Sequence, residues 1–256
     1  MEDSRQPLTQ HLTELRKRIL ISVVCIFLAF FVLFNFSEKL FDILMLPLKS
    51  EIRLDFTSPY LHFKEKAPVP LVFLAPAEAF WMHMKVSFVA AFVFALPVIF
   101  LQIWKFISPG LLSKEKKYVT PFLLGSTLLF IVGALFCFVI ILPFAMTFLL
   151  GYKTESLTPM ISVGSYIDFC LKFILAFGAI FELPVVIIFL TKFGIVSPET
   201  LAKKRKYAVL FSFIAAAILT PTPDAFNQVL MAVPIIVLYE VGIILSKIMF
   251  RKKKRG

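Results

Sequence analysis

The sequence predicts an all-α, polytopic integral membrane protein with six transmembrane helices, short fifth and sixth spans, and both termini in the cytoplasm. Three observations carry that expectation. Hydrophobic residues make up 59% of the 256 positions, with 31 Phe, which is far too apolar for a soluble domain. They gather in runs at about 19–36, 78–107, 121–150, 166–193, 207–219 and 226–249, and about 20 apolar residues at 1.5 Å each cover the hydrocarbon core of a bilayer. Lys and Arg also alternate between connections: 19 of the 27 fall on the N-terminus, the second and fourth connections and the tail, counted with Lys105, Lys192 and Lys247 at the adjoining ends of the runs, and 6 on the other connections. Such a bias marks cytoplasmic flanks. The expectation is a single membrane domain over residues 1–256.

Taken in order, Glu2 and Asp3 open the chain and speak against an organelle transit peptide. From Pro7 onward Leu8, Leu12, Leu15 and Ile19 recur at helical spacing, giving an amphipathic helix that lies on the membrane surface and runs into the first span. Arg16, Lys17 and Arg18 precede that span. It lacks a small-residue cleavage site, so it reads as a retained helix and not a leader. Glu14 stands four residues before Arg18 and is placed to pair with it. Residues 37–75 form the longest polar connection, with Pro47, Pro59, Pro68 and Pro70 and five bases against five acids; a partly ordered cap is expected there. The second span begins at Glu78 and carries Pro97, an expected kink. Ser108 to Tyr118 is a short basic loop with the turn Pro109-Gly110, then Leu111 and Glu115. The third span bends near Pro143.

The fourth span holds Glu182 at mid-depth, immediately followed by Leu183 and Pro184. A lone ionised carboxylate there costs at least about 2.5 to 3.5 kcal/mol on insertion scales, and Pro184 removes a helical donor at the same level. This marks a polar, bent place in the bilayer, serving either a hydrogen bond that only holds helices together or a functional contact. The fifth run, Tyr207 to Leu219, has 13 residues, about 20 Å of helix against a core of about 30 Å. With the turn Thr220 to Asp224 and the sixth run it forms a hairpin expected to thin the bilayer beside it.

Several function classes are excluded. The net charge of +11 sits in short runs beside apolar segments, not on a folded basic surface, so nucleic acid is not the partner; the tail Arg251 to Arg255 suits an anionic lipid surface. His11, His62 and His83 share no metal-binding spacing, and Cys25, Cys137 and Cys170 lie within apolar runs as buried thiols. No nucleophile motif, repeat or phosphate loop is present, so an enzyme, a cofactor and a metal site are not expected. Glu182 also permits a proton-coupled small-molecule transporter, although that class expects a repeat and further polar residues at the same depth. The acids Glu14 and Glu115 sit among cytoplasmic bases, either as solvated surface charges or as carboxylates able to take guanidinium groups bidentately.

Six segments, in order, bear on the choice: His11-Leu12-Thr13-Glu14-Leu15-Arg16; Pro76-Ala77-Glu78-Ala79-Phe80 with Lys85; Pro97 to Gln102-Ile103-Trp104; Phe106 to Pro109-Gly110-Leu111 with Glu115; Phe181-Glu182-Leu183-Pro184; and Thr220 to Asp224 with Leu238-Tyr239-Glu240. Together they resemble the TatC family, the polytopic subunits of the twin-arginine protein translocase, over nearly the whole chain. Ala75 stands where that family often has Thr, and Thr222 separates two prolines that are often adjacent. The resemblance implies a receptor in the bacterial cytoplasmic (inner) membrane for folded proteins bearing twin-arginine signal peptides. It implies a hetero-oligomer with single-span TatA and TatB type subunits, powered by the proton-motive force. It further implies that Glu14 and Glu115, with Arg16, Pro109 and Leu111 beside them, bind the signal peptide. By the same resemblance Glu182, with Pro184 beside it, offers a polar contact within the membrane to a partner helix or to the signal-peptide hairpin; the charge count places Asp224 at an extracytoplasmic turn.

Overall fold

The computed structural model describes residues 8–54, 61–65, 71–107, 119–151, 160–220 and 224–254. Among them, five helical stretches are long and apolar enough to cross a membrane: Leu12–Phe34, Glu78–Ile107, Thr120–Leu150, Val163–Lys192 and Ala225–Met249. Helix α1 (Leu8–Phe34) is continuous, because no Gly or Pro interrupts its sequence; the expected surface helix and first span are one rod.

The polar connection that follows is ordered as short elements: α2 (Ser37–Leu44), α3 (Leu46–Lys49), β1 (Ser50–Leu54), β2 (Leu61–Glu65) and β3 (Leu71–Val72). Antiparallel β1 and β2 set Ile52 opposite Phe63 and Leu54 opposite Leu61, and β3 runs parallel to β4 (Ile161–Ser162). These two small sheets are additions to described residues that are otherwise helical, as the sequence predicts. The alternation Glu51-Ile52-Arg53-Leu54 has the strand period of two, masked in the sequence by the prolines around it.

Helix α4 (Glu78–Ile107) passes through Pro97 without interruption. The third run comprises α5 (Val119–Phe136), a π-helical turn at Cys137–Ile141, and α6 (Leu142–Gly151). The wide turn, closed by the Leu142 N–H on the Cys137 carbonyl, lies just before Pro143, which has no N–H to give to the preceding turn. The fourth run starts at Val163, three residues earlier than expected, because Ser162 accepts the Ser165 N–H at 3.0 Å and caps the helix. It is divided into α7 (Val163–Ile180) and α8 (Leu183–Lys192) by a tightened turn at Phe181 and Glu182. Helix α8 ends at Gly194, whose φ of 73° is left-handed.

Then come α9 (Pro198–Lys203), capped by Ser197, α10 (Arg205–Leu219) and α11 (Ala225–Lys254). The expected pair of short spans is corrected in its second member. Only α10 is short, at 15 residues, about 22 Å; α11 has 30 residues, because the apolar run continues helically through Pro234 into the basic tail.

Two compact units make up the chain, residues 1–41 with 80–128, and residues 42–79 with 129–256. In the first, α1 lies antiparallel to α4, with Phe30 against Phe88 at 6.5 Å, and Trp104 of α4 stacks on Phe122 of α5 at 5.2 Å. In the second, Tyr166, Ile167, Cys170, Phe173 and Phe177 of α7 are buried, α7 packing on the π turn, where Cys137 is also buried. Cys137 and Cys170 carry free thiols. The Tyr166 hydroxyl donates to the Leu44 carbonyl at 2.7 Å and ties the end of α2 to α7. Gly242 lets α11 close on α8: a β-carbon there would meet Ile187 Cδ1 at 2.6 Å and the Pro184 Cα at 3.2 Å.

Candidate functional site

Helical spacing sets Glu14 and Arg18 one turn apart on α1, and their side chains meet: Arg18 Nη2 donates to Glu14 Oε1 at 2.9 Å. Both are half-buried, with side-chain exposures of 22% for Glu14 and 23% for Arg18. Arg18 Nη1 reaches across to Gln102 Oε1 on α4 at 3.4 Å, a long and weak bond, and Gln102 itself is buried. Arg18 Nε is also buried and has no acceptor among the described residues. Arg16 and Lys17 are exposed, leaving a carboxylate recessed between basic residues. Glu115, Pro109 and Leu111 lie outside the described residues. The structure therefore brings Glu14 together with Arg18 and Gln102, and only Glu14 and Arg16 of the expected peptide-binding set have a described position.

Glu182 sits in the break between α7 and α8, half-buried. The Glu182 N–H turns back to the Ala179 carbonyl at 3.1 Å, one residue tighter than an α-helical bond, and its own carbonyl accepts from Val186 at 3.0 Å. Pro184 at the start of α8 explains the break, since it lacks the N–H that would reach Ile180. Two glycines crowd this level. At Gly133 of α5 an added β-carbon would meet the Phe177 carbonyl at 2.6 Å and Phe181 at 2.7 Å, and at Gly178 one would meet the Phe130 ring at 2.5 Å. Both glycines mark one approach, of α5 to the end of α7 just before the acid.

Asp224 has a local task. Its carboxylate accepts the Asn227 N–H at 2.7 Å and the Asn227 side-chain amide at 2.9 Å, which caps the start of α11.

Three polar contacts escaped the sequence reading. Glu78 accepts N–H groups from Leu74 at 2.6 Å, Ala75 at 3.4 Å and Gly164 at 2.6 Å, pinning the loop before α4 to the start of α7. A β-carbon at Gly164 would stand 2.6 Å from Glu78 Oε1 and push the carboxylate aside. Arg205 grips Glu240 with both arms of its fork, at 2.6 and 2.8 Å, and these hydrogen bonds, then the charge of Glu240, hold its guanidinium still more firmly protonated than usual. The third is Gln102 beside Arg18. In the sequence Gln102 and Glu240 show only as parts of the six segments, and Glu78 as part of one and as the acid at the start of a span.

The arrangement of helices and polar breaks can now be compared with known proteins. A family model described as the Sec-independent protein translocase protein, TatC, matches residues 10–234. The chain belongs to the TatC family. Its similarity to the Sec-independent protein translocase protein TatC of Aquifex aeolicus is 43% identity over 250 residues, covering 97% of this chain and 98% of that protein. The TatC of Escherichia coli is 34% identical over 247 residues, with 96% and 90% covered. A crystal structure of a twin-arginine translocase receptor, TatC, superposes with a TM-score of 0.75 at 40% identity, covering 93% of this chain and 98% of that one; a second, in the detergent DDM, gives 0.77 at 41%. This TatC family member is accordingly a component of the Sec-independent protein translocase and an inner-membrane protein. Membership in a protein-transport family sets aside the small-molecule transporter reading.

Proposed function

We propose that this chain is the receptor subunit that binds twin-arginine signal peptides at its cytoplasmic face, using Glu14 with Glu115 and with Arg16, Pro109 and Leu111 alongside. It assembles with single-span TatA and TatB type subunits as a hetero-oligomer and exports folded proteins using the proton-motive force. One observation carries the reading: the recessed Glu14 carboxylate already holds a guanidinium, that of Arg18, at 2.9 Å. A site that accepts one arginine is chemically suited to another, because a carboxylate matches the planar fork of donors.

The charge distribution supports six spans with both termini inside, acting as one membrane domain over residues 1–256, with Asp224 at an extracytoplasmic turn. In that arrangement α10, at 15 residues, crosses a locally thinned bilayer. Glu182 and Pro184 supply a polar, broken stretch at which a partner helix can find hydrogen bonds within the membrane.

The test is peptide binding by the full-length protein in lipid nanodiscs. Glu14→Ala and Glu115→Ala should each weaken a twin-arginine peptide by about 1.5 to 3 kcal/mol, the value of a lost charge-assisted bond. The Gln variants, which keep an acceptor, should lose less. Binding that survives unchanged in the double Ala variant would remove the assignment.

A further inference from the structure

We infer that the start of α10 binds an anionic phospholipid, with its phosphate among Lys203, Lys204 and Lys206 and a chain along the exposed face of the helix. The four consecutive bases Lys203 to Lys206 do not act alike. Arg205 is engaged within the protein, its fork gripping Glu240 of α11 at 2.6 and 2.8 Å. Ser212 and Ala216 share its side of the helix and are buried, and α10 packs on α11. Lys203, Lys204 and Lys206 are exposed and make no ion pair among the described residues. The Lys206 ammonium lies 5.1 Å from the centre of the Tyr207 ring, which holds it at the head of the opposite face.

That face identifies the ligand. Tyr207, Leu210, Phe211 and Ile214 recur at helical spacing and are exposed, Phe211 to 72%. A free phosphate ion would satisfy the lysines and leave this apolar stripe without a role. A partner helix would cover the stripe and give the three ammonium groups nothing. An anionic phospholipid meets both needs, placing a negative charge at the membrane surface and an aliphatic chain below it. Tyr207 stands at the boundary between the two, the level that suits its amphipathic ring. A zwitterionic headgroup would bring its own cation up to the lysines, and like charges repel. Because α10 has only 15 residues, about 22 Å, a lipid held by its head at this end draws the membrane surface to the level of Lys206.

Native mass spectrometry of the full-length protein, released from detergent micelles with phosphatidylglycerol and phosphatidylcholine added in equal amounts, counts the retained lipids one by one. The parent should keep one phosphatidylglycerol in preference to phosphatidylcholine. Lys203→Gln, Lys204→Gln and Lys206→Gln should each weaken that retention about fivefold, the value of one cation beside an anionic surface. Combining the three should abolish the preference, and Lys→Arg changes at the same positions, which keep the charge, should preserve it. The single changes alter exposed side chains, so they carry the test if the triple variant fails to insert. Removing as many charges from the tail, by Lys252→Gln, Lys253→Gln and Lys254→Gln, should leave the preference in place. Soluble glycerol phosphate, which has the anion but no chain, should fail to displace the lipid. The inference is overturned if the preference survives all three Lys→Gln changes, if it falls as far with the tail changes, or if glycerol phosphate displaces the lipid.

Discussion

Gly133→Ala tests whether close backbone approach holds the level of Glu182. The added β-carbon would stand 2.6 Å from the Phe177 carbonyl oxygen and 2.7 Å from Phe181 Cβ and Cγ. None of these atoms is the far end of a flexible chain. Ordinary contact begins near 3.4 Å, so α5 and the end of α7 must part by about 0.8 Å, the difference between those distances, and overpacking on that scale costs about 1 to 3 kcal/mol. Ala also gains about 0.8 to 1 kcal/mol over Gly in a helix interior, which clouds the absolute value. Gly125 supplies the reference, since it lies on the same helix and a β-carbon there meets nothing within 4 Å. The propensity gain is common to both variants, so their difference isolates the packing term. Thermal unfolding in one detergent should place Gly125→Ala at or above the parent and Gly133→Ala below it, separated by about 1 to 3 kcal/mol. Equal stability of the two variants would refute the reasoning.

If the charge count sets orientation, reporters fused after Lys66 or Lys153 should read outside and those after Lys116, Lys203 or Lys253 inside; a cytoplasmic signal at Lys66 would sink the six-span arrangement. Asp224→Ala should destabilise α11 by about 1 kcal/mol through loss of its cap, with Asn restoring most of it; hydrogen exchange at the start of α11 reads this directly, and unchanged protection there would contradict the capping role. Transport by Glu182→Gln and Glu182→Ala at equal membrane abundance distinguishes a polar contact from a proton site: an amide can hydrogen-bond but cannot titrate, so a contact role leaves Gln partly active, and complete loss in both would rule it out.

The features legible in the sequence are those whose cause is local. Pro184 lacks an N–H wherever the chain goes, which disposes the helix to break at Glu182, although Pro97 and Pro234 leave α4 and α11 continuous; Pro143 likewise foretells a disturbed helix, although not that the relief comes as a π turn over Cys137–Ile141. The i, i+4 pairing of Glu14 with Arg18 is fixed by helical geometry alone. Small sheets were missed because strands of five residues and two residues inside a proline-rich connection carry little periodic signal. The sixth run, 226–249, agrees with the apolar stretch Ala225–Met249; its helix continues to Lys254 because a basic tail ends the apolar run without ending the helix, and Lys and Arg are good helix formers.

Contacts set by distant approach left no such trace. Gln102 reads as one polar residue in an apolar run until α1 brings Arg18 beside it, and Glu78 reads as the first acid of a span until Gly164, 86 positions on, offers its N–H at 2.6 Å. In both cases a group from another helix adds a hydrogen bond that the local sequence does not announce. Lone polar residues near the ends of apolar runs therefore deserve to be read as halves of long-range pairs. For Gln102 that reading joins two helices: a carboxylate on α1, the guanidinium of Arg18 and the amide oxygen of Gln102 on α4 lie in one row.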